Sequence, residues 1–359
     1  MTSPSEAVRR AHVVGLGLIG GSIALGLRAR GWAVTGEDLE DATVTEAVSL
    51  GAVDSTTRHR ATPLVVVCVP SSDVAEVARR QLALSPAPAV VTDVAGVKSR
   101  IVEAVADDRF LGGHPMAGSE QHGLRGARAD LFVGASWVLT PTPATTPEHY
   151  ATLVTMVRDL GATSLALTAA DHDRLVAMVS HVPHLVAGAM MNEAAQLAES
   201  DAALLRLAAG GFRDMTRVAA GHPAIWPDLC VDNRDAILAG LAALRGRLAT
   251  LEAAIAGKDR ATILAELTSA SAARRNLPSS TPDPTHLAVL RVPVADRPGV
   301  LAEVTTLASD ANLNIYDLEI AHSQEGSAGV LIMVLDERAA PALAAALAER
   351  GLKSSVEPL

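Results

Sequence analysis

The chain has 359 residues, too many for one compact core, so its length predicts two or three domains. Its 40 acidic and 30 basic side chains give a formal net charge of -10, which argues against a nucleic-acid-binding surface. Cys68 and Cys230 are the only cysteines, so a disulfide framework is not expected and a reducing compartment is. The start of the chain lacks a signal-peptide pattern, and no apolar stretch approaches the roughly 20 residues that span a bilayer. We therefore expect a cytoplasmic protein without a membrane partner.

Short apolar runs alternate with helical stretches from Ala11 to about Ala170, as βαβ units on a parallel sheet do. The pattern predicts the α/β class, with a Rossmann-type, doubly wound parallel sheet, and assigns residues 1–170 to a nucleotide-binding domain. The strands predicted for this sheet are Ala11 to Val14, Trp32 to Glu37, Leu64 to Val69, and Ala89 to Thr92.

A glycine-rich loop, Gly15-Leu16-Gly17-Leu18-Ile19-Gly20, comes directly after the first predicted strand and before a helix expected to start near Gly21. This context predicts a dinucleotide-binding turn, with Asp38 at the end of the second strand accepting hydrogen bonds from the adenosine ribose. NAD is the favoured cofactor, although Arg28 and Arg30 leave NADP open. Two further residues at the end of the third strand, Val69 and Pro70, complete the predicted cofactor site.

Helical periodicity replaces the strand signal from Asp171 to Arg275, and residues 171–275 form a predicted helical domain for substrate binding and dimerisation. Pro183 falls within one apolar stripe and predicts a kinked helix near a functional surface. The long apolar stripes favour a homodimer interface.

Residues 276–285 contain three prolines and few apolar side chains, a composition typical of a linker. The remaining residues, 286–359, predict a small ferredoxin-like module of βαββαβ order. Its elements are predicted at Leu287 to Val294, Gly299 to Ala311, Ile315 to His322, Val330 to Leu335, and Ala339 to Arg350, with a last short strand.

Three separate segments combine imidazole or guanidinium groups with glycine or proline: Gly112 to Glu120, Ser180 to His184 and Gly210 to Arg217. Together with the nucleotide loop they favour a redox enzyme that acts on a small anion. Arg213 and Arg217 are four residues apart and, on one helix, would project together to clamp a dicarboxylate. His181 and His184 would share a helix face, but without a third ligand nearby no metal site is predicted.

The four motifs in this order resemble the prephenate and arogenate dehydrogenases of tyrosine biosynthesis, over roughly Ala11 to Arg275. The resemblance implies that prephenate and NAD yield 4-hydroxyphenylpyruvate, carbon dioxide and NADH, with arogenate as the alternative substrate. Asp296 to Leu301 and Asn312 to Ile315 resemble an ACT domain, a regulatory amino-acid-binding unit.

The resemblance also implies roles for individual residues. His114 would polarise the substrate hydroxyl and accept its proton, His184 would face the substrate, and Arg217 would hold a substrate carboxylate. Arg213 stands where relatives often have a lysine, and it could equally pair with a surface acid. The remaining expected pocket residues, each with an equally ordinary structural alternative as a helix cap or a core side chain, are Ser119, Glu120 and Trp226.

One position departs from the family pattern. Gly96 stands where relatives commonly carry a serine, so we expect water, Ser119 or another group to orient His114, with His122 as a less favoured substitute.

In the ACT-like module the residues expected to touch an amino acid are Asp296, Gly299 and Asn314. Tyrosine is the natural ligand, and subunit pairing without a ligand is the alternative. Two other functions compete with the leading one. A β-hydroxy acid dehydrogenase would need a lysine in the helical domain, where only Lys258 is found, and a non-catalytic sensor would bind NAD without turnover.

Overall fold

The computed structural model describes residues 9–59, 62–118, 121–201, 203–221, 223–275, 287–295, 297–311, 313–322 and 328–358. The chain divides into two compact units, Met1–Thr250 and Leu251–Leu359. The predicted linker, residues 276–285, lies outside the described residues. The predicted domain limits stay predictions.

The first unit begins with four parallel strands in the order β2-β1-β3-β4, which confirms the predicted Rossmann-type sheet. Its elements are β1 Arg10–Val14, α1 Leu18–Ala29, β2 Ala33–Glu37, α2 Asp41–Ser49, β3 Leu64–Val67, α3 Ser71–Leu84, β4 Val90–Asp93 and α4 Ser99–Val105. The third strand ends two residues earlier than predicted, and α1 starts directly after Gly17 rather than near Gly21.

Both faces of this sheet are covered, because alternate residues of β3 enter different apolar clusters. Leu64 and Val66 join a core built with α1, whereas Val65 and Val67 join one built with α3 and α4. All four residues are buried, as a strand sandwiched between helices requires. This packing fixes the carboxyl ends of the strands, where the nucleotide loop lies.

A second, three-stranded sheet continues the unit in the order β5-β6-β7, with β5 antiparallel to β6. Its elements are β5 Gly112–Pro115, β6 Ser136–Thr140, α5 Pro147–Asp159 and β7 Thr163–Ala166. Gly113 lets β5 approach the end of β4, since a Cβ at this position would lie 2.8 Å from the Asp93 carbonyl oxygen. The next residue along β5 is His114.

Helices make up the rest of this part of the chain, as predicted. They are α6 Ala169–Val176, α7 Val182–Ser200, α8 Gly210–Thr216, α9 Trp226–Asp232 and α10 Arg234–Ala256. A π-helical turn at Ala177–His181 joins α6 to α7, so the irregularity precedes Pro183, which lies in the first turn of α7. A proline is tolerated there because the N–H donor that it lacks would have no regular α-helical acceptor across the π turn.

The run Ala169–Ser200 is long and apolar enough, by length and composition alone, to cross a membrane. The expectation that no stretch approaches this length was therefore wrong. Its first half nevertheless buries the polar side chains of His172, Asp173 and His181 inside the protein. Such burial is typical of a core helix of a folded domain.

The second unit contains α11 Arg260–Arg275 and then β8 Leu287–Ala295, α12 Val300–Asp310, β9 Ile315–His322, β10 Ala328–Asp336, α13 Ala340–Glu349 and β11 Ser355–Pro358. The four strands form an antiparallel sheet in the order β11-β8-β10-β9. The βαββαβ order matches the prediction. Its core includes Leu290, Leu331, Met333 and Leu343, all fully buried.

Candidate active site

The nucleotide loop provides close approach for a phosphate group. Gly15 has φ +88°, and a Cβ at Gly20 would lie 1.9 Å from the Gly15 carbonyl oxygen, so neither position accommodates a side chain. Gly17 has no heavy atom within 4 Å of its Cβ position. It caps α1, whose first turn contains neither a side-chain cap nor an acid. The open space at Gly17 and the free helix amides fit a pyrophosphate.

Two adjoining cavities extend from this loop. One, of about 610 Å³, is lined by Gly15, Asp38 and α3 residues, and the other, of about 450 Å³, is lined by Leu18, Ile19, Gly20 and His114. Both are lined by Gly17, Cys68, Val69 and Pro70. All the predicted cofactor residues except Leu16 therefore line one or both cavities, and the buried Leu16 donates its amide to the Asp38 carboxylate at 2.7 Å.

The first cavity suits the adenosine end of NAD. The Asp38 carboxylate lies there beside Glu37, where the 2′-phosphate of NADP would be repelled. Arg80 also lines the cavity, but its guanidinium bonds Glu37 at 2.9 Å. Arg28, which left NADP open in the sequence, instead pairs with Asp54 at 2.7 Å. NAD is the cofactor that these residues fit.

The second cavity contains His114, whose position depends on a buried ion pair. Asp93 at the end of β4 and Lys98 are both fully buried and bonded to each other. Lys98 also donates to the Gly113 carbonyl at 2.9 Å, and the Gly113 amide donates to Asp93 at 3.1 Å. Both backbone groups of Gly113 are therefore tied to the pair, which fixes the strand residue before His114.

A second set of contacts reaches His114 from α6. The His114 Nδ1 atom lies 2.8 Å from His172 Nε2, and His172 Nδ1 lies 2.8 Å from an Asp173 carboxylate oxygen. The amides of Lys98 and Ser99 each donate to Asp173 at 2.8 Å. Thus another group, His172, orients His114 where the family serine is missing.

His181 and Trp226 also line this cavity. The His181 Nδ1 atom lies 3.2 Å from Asn233 Nδ2, which can only donate, so His181 accepts there and its Nε2 carries the proton. His184 stacks on Trp226 with ring centroids 3.6 Å apart. Both histidines thus contact Trp226, and of the two His181 lines the cavity. The role of His184 toward the substrate stays a prediction.

Burial keeps these imidazoles neutral. It holds the pKa of His114 well below the ordinary 6.5, with the nearby Lys98, His172 and His181 acting in the same direction and Asp173 opposing. Burial also lowers the pKa of His181 to about 4. A neutral imidazole at His114 has a lone pair for the proton of a hydroxyl group.

The other predicted site residues are more dispersed. Ser119, Glu120 and Asp296 lie outside the described residues. Arg213 and Arg217 are exposed and line neither cavity. They also do not share one regular α-helix, because α8 ends at Thr216 and the chain tightens into a 3-10 turn. Their roles toward a substrate carboxylate stay predictions.

Gly96 lines the cavity, and a Cβ there would lie 3.9 Å from His114 Nε2. The Nε2 edge of His114 therefore faces the space beside Gly96. His122 is exposed and lines neither cavity. Within the described part of the chain no group of three or more His, Cys, Asp or Glu side chains has metal-binding geometry.

Four buried polar residues that shape this site were not among the predicted site residues: Asp93, Lys98, His172 and Asp173. The sequence does contain a signal for the Asp93–Lys98 ion pair. An acid and a lysine flank the loop that follows a strand predicted to be buried on both faces. His172 and Asp173 carried no such signal. They follow Thr168 and Asp171, which cap the start of α6, so the segment has the composition of an ordinary exposed first helical turn.

Two family models match consecutive parts of the chain. The prephenate dehydrogenase nucleotide-binding domain matches residues 23–166, and the prephenate dehydrogenase dimerization domain matches residues 168–269. Prephenate dehydrogenase of Bacillus subtilis is 30% identical over 337 residues, which is 89% of this chain and 90% of that protein. Cyclohexadienyl dehydrogenase of Zymomonas mobilis is 30% identical and covers 69% of this chain and 88% of its own length.

Solved structures show the same likeness. Prephenate dehydrogenase from A. aeolicus, in complex with hydroxyphenyl propionate and NAD+, has a TM-score of 0.71 at 27% identity and covers 77% of this chain and 100% of that chain. Synechocystis arogenate dehydrogenase has a TM-score of 0.66 at 33% identity and covers 74% of this chain and 98% of its own.

The Asp38 carboxylate provides a test of the nucleotide cleft. We expect Asp38→Asn to weaken NAD binding about 10- to 100-fold, since a hydrogen bond to a charged group contributes about 1.5–3 kcal/mol. Binding of NADP should weaken less, because the repulsion of its 2′-phosphate is reduced. Titration calorimetry with both nucleotides measures this change. Asp41→Asn, an exposed change at the start of α2, is the control, and equal losses in the two variants would contradict the assignment.

His181 predicts a pH dependence of stability. The folded protein protonates this residue near pH 4, whereas the unfolded chain does so near 6.5. The stabilisation that neutral His181 contributes is therefore complete above about pH 6.5 and is lost as the pH falls toward 4, by about 3 kcal/mol in all. His181→Asn keeps an acceptor for Asn233 but removes the titration.

The free energies of unfolding of both proteins, from urea titrations, provide the measurement. Their difference should stay constant above about pH 7 and shrink by about 2–3 kcal/mol near pH 4.5. A difference that does not change with pH would show that His181 titrates alike in the folded and unfolded chains.

Proposed function

The chain belongs to the prephenate dehydrogenase family, and we propose that it catalyses the NAD-dependent oxidative decarboxylation of prephenate to 4-hydroxyphenylpyruvate. The observation that carries the proposal is the neutral His114 imidazole in a cavity continuous with the nucleotide loop. Arogenate is the alternative substrate, favoured by the similarity to Synechocystis arogenate dehydrogenase.

The reaction needs one base and one hydride acceptor. Prephenate has a ring hydroxyl opposite a quaternary carbon that bears a carboxylate, so oxidation of the carbinol makes loss of that carboxylate yield an aromatic ring. NAD, when bound, accepts the hydride. The glycine loop and Asp38 hold the cofactor, and His114 accepts the hydroxyl proton at Nε2, the atom that faces the cavity beside Gly96.

Hydride transfer also requires a dry site. The His114 cavity is lined largely by apolar groups, including Val94, Val97, Ile225 and Leu229. His181, with its proton on Nε2, supplies a neutral donor among the lining residues. The cavity thus pairs one imidazole acceptor with one imidazole donor, an arrangement that suits a hydroxyl substrate without placing a second positive charge beside the nicotinamide end of the cleft.

The test is NADH formation, followed by absorbance, with purified protein, NAD and either prephenate or arogenate. We expect turnover on prephenate that falls at least about 100-fold in His114→Asn, because a positioned general base contributes about 10²- to 10⁴-fold. His59→Asn, an exposed histidine outside both cavities, should turn over normally. NAD binding without turnover on either substrate would refute the proposal.

We further propose that the C-terminal module is an ACT-like domain that binds tyrosine. Gly299, at φ +89°, directly precedes α12 and provides no side-chain cap, so no side chain caps the amides of the first turn, which could meet a carboxylate. Asn314 is exposed immediately before β9. The order of the sheet is also compatible with this type of domain.

Tyrosine should lower the rate of NADH formation by the full-length enzyme, and Asn314→Ala should raise the concentration needed for half inhibition about 10-fold or more, the loss of one hydrogen bond to a charged ligand. Lys353→Ala, an exposed change in the same module, is the control. A tyrosine site in the module would be contradicted if tyrosine had no effect on the rate. It would also be contradicted if tyrosine competed with substrate and inhibited both variants equally.

We also propose that the protein is a cytoplasmic homodimer. The match to the dimerization domain supports pairing through the helical segment, which carries an open apolar groove of about 520 Å³. The groove is lined by Ala189, Met190, Glu193, Ala194, Leu197, Leu204 and Phe212.

A further inference from the structure

The contacts that reach His114 from α6 form a row of three side chains that ends on a carboxylate. His114 contacts His172 through Nδ1, and His172 contacts Asp173 through its own Nδ1, with each heavy-atom distance 2.8 Å. His172 is 1% exposed and Asp173 is 7% exposed. Buried polar groups this close define which atom donates and which accepts.

The carboxylate sets the order of donors. Burial raises the pKa of Asp173, but hydrogen bonds from the side chain of His172 and from the amides of Ser99 and Lys98 outweigh it and hold the pKa below its usual range. Both oxygens already accept an amide, so Asp173 is an acceptor and His172 Nδ1 must carry a proton. With the ring proton held at Nδ1 by the carboxylate, the other nitrogen, Nε2, is the acceptor for His114.

The same logic extends one residue further. Because His172 Nε2 accepts, His114 Nδ1 must donate, and in a neutral His114 the remaining lone pair is on Nε2. This is the atom 3.9 Å from the Cβ position of Gly96, on the cavity side of the ring. The direction of these two hydrogen bonds thus decides which nitrogen of His114 carries the basic lone pair.

We propose that His172 and Asp173 are positioning residues that hold His114 in the tautomer with the proton on Nδ1, so that Nε2 is the base facing the substrate. The inference rests on the proposed function for its chemistry. The opposite tautomer would turn an N–H group toward the substrate hydroxyl and place the lone pairs of His114 Nδ1 and His172 Nε2 against each other. His114 would then be unable to accept the proton.

The proton balance is simple. As the carbinol C–H bond breaks with its electron pair going to NAD, the hydroxyl O–H bond breaks and a new N–H bond forms at His114 Nε2. The resulting imidazolium keeps its Nδ1 proton, which stays hydrogen-bonded to His172 Nε2, and the Asp173 carboxylate faces the new charge through the His172 ring. When the substrate carboxylate leaves as carbon dioxide and the ring becomes aromatic, the Nε2 proton returns to the ring oxygen, which becomes the phenol of the product. The charged and titratable groups around His114 on the neighbouring elements are Asp93, Lys98, His172, Asp173 and His181.

A matched pair of variants separates positioning from packing. His172→Gln keeps an acceptor near the place of Nε2, whereas His172→Leu fills similar space without one. We expect kcat to fall at least about 100-fold in the leucine variant, with KM changed less than about threefold, and about 10-fold or less in the glutamine variant. Equal kcat values in the two variants would overturn the proposal, because packing alone would then explain the role of His172.

The tautomer itself is measurable without turnover. In protein labelled with ¹⁵N-histidine, nitrogen chemical shifts of His114, assigned by comparison with His114→Asn, should show a protonated Nδ1 and an unprotonated Nε2 in the wild type. His172→Leu should lose that preference, with NAD binding and melting temperature as checks on folding. A protonated Nε2 in the wild type overturns the inference even if both variants fail to fold. This readout also separates it from the proposed function, which is tested by turnover on prephenate or arogenate.

Discussion

The site depends on one buried ion pair, Asp93 with Lys98. Isolated charges in a protein interior are costly, so each must satisfy the other and the backbone groups around them. The pair does this by bonding both the amide and the carbonyl of Gly113, which ties β5 to the end of β4. In the next turn, the amides of Lys98 and Ser99 donate hydrogen bonds to the carboxylate of Asp173, which lies on α6. One lysine therefore lies where two sheets and a helix meet, and His114 projects from that junction.

Much of the first unit could be predicted because its signals are local. The apolar strands, the glycine turn and the acid after the second strand each follow from the residue types at fixed spacing, and Asp38, Val69 and Pro70 all line the cleft. The order of elements in the C-terminal module was predictable for the same reason. For these strands and helices the errors lie at their ends, as where β3 stops at Val67 because the chain turns there toward the nucleotide cavity.

The rest could not be predicted, because it depends on contacts between residues far apart in sequence. His172 meets His114 across 58 positions, and only the docking of α6 on α4 makes that contact. Helical spacing placed His181 with His184, and both rings do contact Trp226, but spacing alone could not tell which of the two lines the cavity, and it is His181. Arg213 and Arg217 were likewise assigned to one helix that in fact ends between them.

The π turn between α6 and α7 has a consequence for how this enzyme can vary. Because successive residues of an α-helix are rotated by about 100°, one residue added or removed within Ala177–His181 would rotate the whole of α7 relative to α6. Helix α6 carries His172, which contacts His114, and α7 carries the apolar groove. A change of helix register would therefore move the residues around His114 relative to that groove, so we expect this stretch to accept substitutions more readily than insertions.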